Sequence, residues 1–136
     1  FLLLNVDFVQ NVRIFVFANY IREGMIIQKL KRANDDRYKL AETYYQILSS
    51  VNSLNLTKRE IQLIAFAAIR ESISYAHIKE EFCEKYGTSV QTINNMVSKL
   101  TRLKVFVKDN GKIKVNPVIC FKFDDGIKLE ITLLYG

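Results

Sequence analysis

The sequence predicts an α+β fold, and three observations carry that prediction. Between residues 57 and 103, apolar residues recur at three- and four-residue spacing in three successive stretches, each bounded by helix-end signals. Asn110-Gly111 then sits between two short alternating runs, "KVFVK" and "KIKVN", the strongest short-range signal for a β-hairpin. Finally, both ends of the chain are dense in branched and aromatic residues, as strands are. The chain has 136 residues, nearly half of them apolar, and a single proline, Pro117. That is enough for one domain with a real core and speaks against global disorder. There is no run of ~18 apolar residues, which excludes an ordinary transmembrane helix.

Taken in order, "FLLLNVDF" at 1–8 and "VRIFVFA" at 12–18 read as two strands, although the second run would also suit the start of a buried helix. The opening run meets Asn5 and Asp7 at once and makes a better first strand than signal peptide. Residues 25–51 are expected to be helical. Ile26, Leu30 and Ala33 form one stripe and Tyr38, Ala41, Tyr45 and Leu48 another, with Asp35 or Asp36 placed to cap a second helix. After the connector "SSVNSLNL", Thr57 with Glu60 three residues on has the spacing of a capping box, in which each side chain satisfies a backbone N–H.

The helix from there to Arg70 should bury Ile61, Ile64, Ala65, Ala68 and Ile69. A short helix over 75–86 should turn Tyr75, Ile78, Phe82 and Tyr86 inward and Lys79, Glu80, Glu84 and Lys85 outward. Gly87 suits its left-handed end, and Thr88 with Gln91 repeats the capping-box spacing for a third helix. That helix carries Val90, Ile93, Met96, Val97, Leu100 and Leu103 on its expected inner face. Beyond the Asn-Gly hairpin, "VICFKF" and "IKLEITLLY" around "DDG" read as a last hairpin. The organisation expected is therefore an N-terminal packing or dimerisation segment at 1–56, a central unit at 57–116 and a C-terminal hairpin at 117–136.

The net charge of +6 is concentrated. Residues 88–122 hold Lys99, Arg102, Lys104, Lys108, Lys112, Lys114 and Lys122 against Asp109 alone. Such a local field favours a polyanionic partner over a neutral one. Cys83 and Cys120 form no metal-binding or redox pattern and read as free thiols of a reducing cytoplasm. His77, the single histidine, lies six residues from Cys83 on one helix, which puts the two on different faces. No phosphate-cradling glycine loop, metal cluster or nucleophile-base pair is visible, so neither an enzyme nor a cofactor is expected.

The order helix, helix, tight turn, helix, basic hairpin over residues 57–116 resembles a winged helix-turn-helix domain, and "SYAHIKEEFCEKYGTSVQTINNMVSKLTRLKVFVKDNGKIKVNP" looks like the helix-turn-helix and wing of that family in bacterial regulators and in phage or plasmid replication proteins. The resemblance covers residues 57–116. It implies double-stranded DNA as partner, with the third helix in the major groove and the hairpin wing against the backbone or minor groove. Residue chemistry points the same way. Gln91, Thr92, Asn94, Asn95 and Ser98 are amides and hydroxyls of the kind that contact base edges, Ser89 stands at the helix start, and Lys99 and Arg102 are placed to meet phosphates. Lys108, Asn110, Lys112 and Lys114 are the expected wing contacts. Transcription control is the leading role, with replication initiation or a structural adaptor as alternatives, and a homodimer through residues 1–50 and 127–136 is expected.

Overall fold

The computed structural model describes residues 17–22, 25–28 and 36–124. The chain divides into two compact units, one of residues 1–37 with 123–136 and one of residues 38–122. The described part is mixed α+β.

In the first unit, β1 (Phe17–Arg22) pairs antiparallel with β2 (Met25–Gln28), the register running from Phe17 opposite Gln28 to Arg22 opposite Met25 with an irregularity between Phe17 and Tyr20. The hairpin corrects the helix expected from Met25. The 26/30/33 spacing is helical, but Met25–Gln28 holds adjacent β-branched residues directly after Glu23-Gly24, and local strand pairing prevails over the longer period. The strand expected over 1–8, residues 12–16 of the strand expected over 12–18, and the run 127–135 lie outside the described residues.

The second unit is built on four helices and one hairpin among the described residues. Helix α1 (Arg37–Val51) starts directly after Asp36 and buries Ala41, Tyr44, Tyr45 and Leu48. The Tyr45 hydroxyl donates to the Ile119 carbonyl at 2.9 Å, and the Tyr44 ring meets Phe121 edge-on at 5.0 Å. Tyr45 and Leu48, from the second stripe of the segment expected to serve packing or dimerisation, are thus buried within the chain, and the compact unit runs over residues 38–122.

Helix α2 (Lys58–Arg70) is the centre of the unit. Its capping box is complete: the Thr57 hydroxyl accepts from Glu60 N–H at 3.2 Å, and the Glu60 carboxylate accepts from Thr57 N–H at 2.8 Å. An unbroken run from Glu60 to Ala68, Ile61 alone being half-buried, is shielded from solvent, so this helix buries far more than one stripe. Phe66 stacks on Tyr38 at 5.7 Å and meets Phe82 edge-on at 5.4 Å, joining α1, α2 and α3 (Ala76–Tyr86).

Gly87 ends α3 at φ +65°, and the N–H groups of Gly87 and Thr88 both reach the Cys83 carbonyl. Helix α4 (Val90–Arg102) follows with Ser89 as its cap, one residue later than the Thr88 pairing expected from sequence. A serine directly before the first helical residue competes successfully with a threonine whose own N–H is already used to close α3. Ile93, Met96, Val97 and Leu100 are buried, whereas Val90 and Leu103 at the two ends are exposed. Tyr75 is likewise exposed: it precedes α3 in extended conformation, so the helical spacing that included it began one residue too early.

Strands β3 (Phe106–Asp109) and β4 (Lys112–Val115) pair antiparallel, Asp109 opposite Lys112 and Phe106 opposite Val115. Asn110 and Gly111 have φ +50° and +76°, the doubly positive turn that Asn-Gly favours. The α2–α3 connection holds the far edge of β4. Ile73 N–H and the Ser72 hydroxyl both donate to the Ile113 carbonyl, and Ile113 N–H donates to the Ser74 hydroxyl at 2.7 Å. The strand expected at 118–123 is absent, because Pro117 opens a 3-10 turn over Pro117–Ile119 that Asn116 caps.

Candidate nucleic-acid interface

The hydrophobic stripe of α4 rests on α3 and β3, and its remaining surface is left open. Gln91, Thr92, Asn94, Asn95, Ser98 and Arg102 are all exposed, as is the cap residue Ser89. The fold therefore brings together most of the helix residues that the sequence nominated.

These side chains are not equally free. The Ser89 hydroxyl accepts from Thr92 N–H at 3.2 Å and shares a 2.9 Å hydrogen bond with the Thr92 hydroxyl. Asn94 Oδ1 accepts from the Lys79 ammonium at 3.0 Å, and the Ser98 hydroxyl turns back onto the Asn94 carbonyl. The Gln91 amide donates to Asn95 Oδ1 at 3.2 Å, one helical turn away.

Lys99 is placed differently from its neighbours. Its ammonium donates to both carboxylate oxygens of Glu60, at 2.9 and 3.1 Å, and Glu60 is buried. The same carboxylate closes the α2 capping box, so one side chain fixes the start of α2 and the later turns of α4. Lys99 thus serves the joint between the helices, in contrast to Arg102, which has no ion-pair partner among the described residues.

Lys108 and Asn110 are exposed on the hairpin, and Lys114 is half-buried and ion-paired with Asp109. Lys112 carries its ammonium 5.1 Å from the centre of the Tyr75 ring, and its interaction with the Tyr75 side chain raises its pKa above the ordinary lysine value. Tyr75 in turn lies 5.7 Å from His77, ring centre to ring centre. This exposed corner joins the start of α3 to the hairpin.

Three residues of this surface were missed by sequence reasoning. Lys79 read as one charge of a solvated helix, and only its contact with Asn94 brings it to the α4 face. Tyr75 read as core. His77, which is exposed, was placed only relative to Cys83, and nothing in its spacing points to the Tyr75 ring.

Both cysteines are free and half-buried, and burial, the main cause, pushes the Cys120 thiol up from its ordinary value. Among the described residues no His, Cys, Asp and Glu side chains gather into a group of three or more fit to hold a metal. No described helix is long and apolar enough to cross a membrane. No protein-family model, curated protein or solved structure matches this chain.

Proposed function

We propose that this chain binds double-stranded DNA through residues 57–116, used as a winged helix-turn-helix, and acts in transcription control. In this reading α4 enters the major groove and the β3–β4 hairpin lies against the backbone. The observation that carries it is the open face of α4: amides and hydroxyls along its length, a cation at its last turn, and an apolar back already buried. A helix solvated for its own sake has no need of so many base-edge donors and acceptors and so few glutamates and lysines.

The charges divide by task. Lys99 and Lys114 are held by Glu60 and Asp109 and contribute mainly to the protein's own structure. Arg102, Lys108 and Lys112, with Lys79 at the edge of the α4 face, are the cations assigned to phosphates. With about four phosphates neutralised, log affinity falls against log salt with a slope of roughly −3 to −4.

Fluorescence anisotropy with duplex DNA at ~50 mM salt tests the reading, because even non-specific binding is measurable under that condition. Absence of binding there refutes it. Genome-wide occupancy tests the role: sites at promoters support transcription control, whereas sites confined to a replication origin move the assignment to initiation.

A further inference from the structure

Resting on the DNA-binding reading above, we infer that the Gln91–Asn95 amide pair reads an A·T base pair. Most of the other side chains nominated for base contact on α4 already have a local partner. Ser89 and Thr92 share a hydrogen bond, Asn94 Oδ1 is taken by Lys79, and the Ser98 hydroxyl returns to its own helix. Gln91 and Asn95 are also joined, but their union leaves matched groups over.

Gln91 Nε2 donates to Asn95 Oδ1, so Gln91 Oε1 is a free acceptor and the Asn95 Nδ2 amide a free donor. Reversing the shared bond exchanges the two roles and still leaves one carbonyl and one NH₂. The composite is therefore one acceptor beside one donor in either sense, on an exposed surface within two turns of the helix start.

Adenine presents the complement in the major groove, an N7 acceptor beside an N6 donor. Guanine presents two acceptors, N7 and O6, and would set O6 against the free carbonyl. Reading guanine well takes a pair of donors, as arginine or lysine supplies. Within residues 88–98 there is neither, and Lys99, one turn beyond Asn95, is held by the Glu60 carboxylate. The fixed pair also lowers the ordering cost of binding, since each amide holds the other in place before DNA arrives.

Selection of bound duplexes from a randomised library, using the full chain, is the test. The expected result is one position enriched in A·T, at which replacement by G·C weakens binding roughly tenfold or more. Gln91→Ala and Asn95→Ala should each bring the A·T and G·C duplexes to near parity, with unchanged circular dichroism, while Arg102→Ala weakens both duplexes alike. Duplex binding without A·T enrichment, or a preference that survives both alanine variants, overturns the inference and leaves the DNA-binding reading intact. Failure to bind any duplex overturns that reading, and the inference with it.

Discussion

Helices α2 and α4 have the same length, 13 residues, and each begins at a hydroxyl cap, yet eight residues of α2 are buried against four of α4. The difference is one of position. Helix α2 packs on α3 and β4 and, through Phe66, on Tyr38 of α1, so little of its circumference is left for water. Helix α4 packs on α3 and β3 along one stripe only, and the fold leaves its other side unused. Side chains on α2 are consequently selected for packing, and those on the open side of α4 are at liberty to serve a partner.

The comparison is tested most severely by truncation in the core. Phe66→Ala on α2 should cost about 3–5 kcal/mol, and Leu100→Ala on the buried stripe of α4 about 2–5 kcal/mol, both read as a lower midpoint in urea. Substitutions on the open side of α4 should stay within about 0.5 kcal/mol of the parent. If Asn94→Ala proved as damaging as Leu100→Ala, the open face would be part of the protein's own structure and the contrast would fail.

Next in size is the joint between the two helices. Glu60→Ala removes the partner of Lys99 and half of the α2 capping box together, and should destabilise by about 1–3 kcal/mol. Glu60→Gln keeps a cap acceptor for Thr57 N–H and surrenders only the charge, so it should recover part of that loss. Urea titrations of the two variants give the split. Equal losses would mean that the ion pair alone carries the effect.

The central unit was legible because its signals are local and agree with one another. Thr57 with Glu60, Gly87, and Asn110-Gly111 each specify a backbone feature through chemistry within a few residues, and each is found where expected. Legibility falls where two local signals compete. Thr88 and Ser89 both suit a cap, and only the carbonyl of Cys83, claimed by Thr88 N–H, decides between them. Met25–Gln28 satisfied a helical spacing and a strand composition at once, and pairing with Phe17–Arg22 decided it.

Of the candidate site, the exposure of its members was legible, but not their partners. Exposure of Gln91, Thr92, Asn94, Asn95, Ser98 and Arg102 follows from helical period alone. That Lys99 belongs to Glu60, 39 residues earlier, or that Lys79 reaches Asn94, follows only from how α2 and α3 pack against α4. The same is true of the hairpin edge: "SIS" at 72–74 carries no strand-edge signature, yet its hydroxyls and backbone hold Ile113.

A smaller effect separates the two helix starts. Thr57→Ala breaks a reciprocal, partly buried cap and should cost about 1–2 kcal/mol, whereas Ser89→Ala removes a single exposed acceptor and should cost about 0.5–1 kcal/mol. Thermal melts followed by circular dichroism resolve the difference. The reverse order would show that the start of α4 is held more firmly by the fold than its exposure suggests, and would narrow the contrast with α2.

The smallest expected change in stability belongs to Arg102, and it is the most informative about function. Its side chain is exposed in the last turn of α4, where a cation also complements the carbonyl end of the helix, so Arg102→Ala should alter stability by no more than about 0.5 kcal/mol. Its effect on DNA should be larger than its effect on folding. Losing one phosphate contact flattens the slope of log affinity against log salt by roughly 0.9 and weakens specific and non-specific duplexes together. Lys99→Ala supplies the counter-case, because its ammonium is held by Glu60: it should lower stability while leaving the salt slope close to that of the parent. If instead Lys99→Ala flattens the slope and Arg102→Ala does not, the division of α4 into a side that folds and a side that binds is drawn in the wrong place.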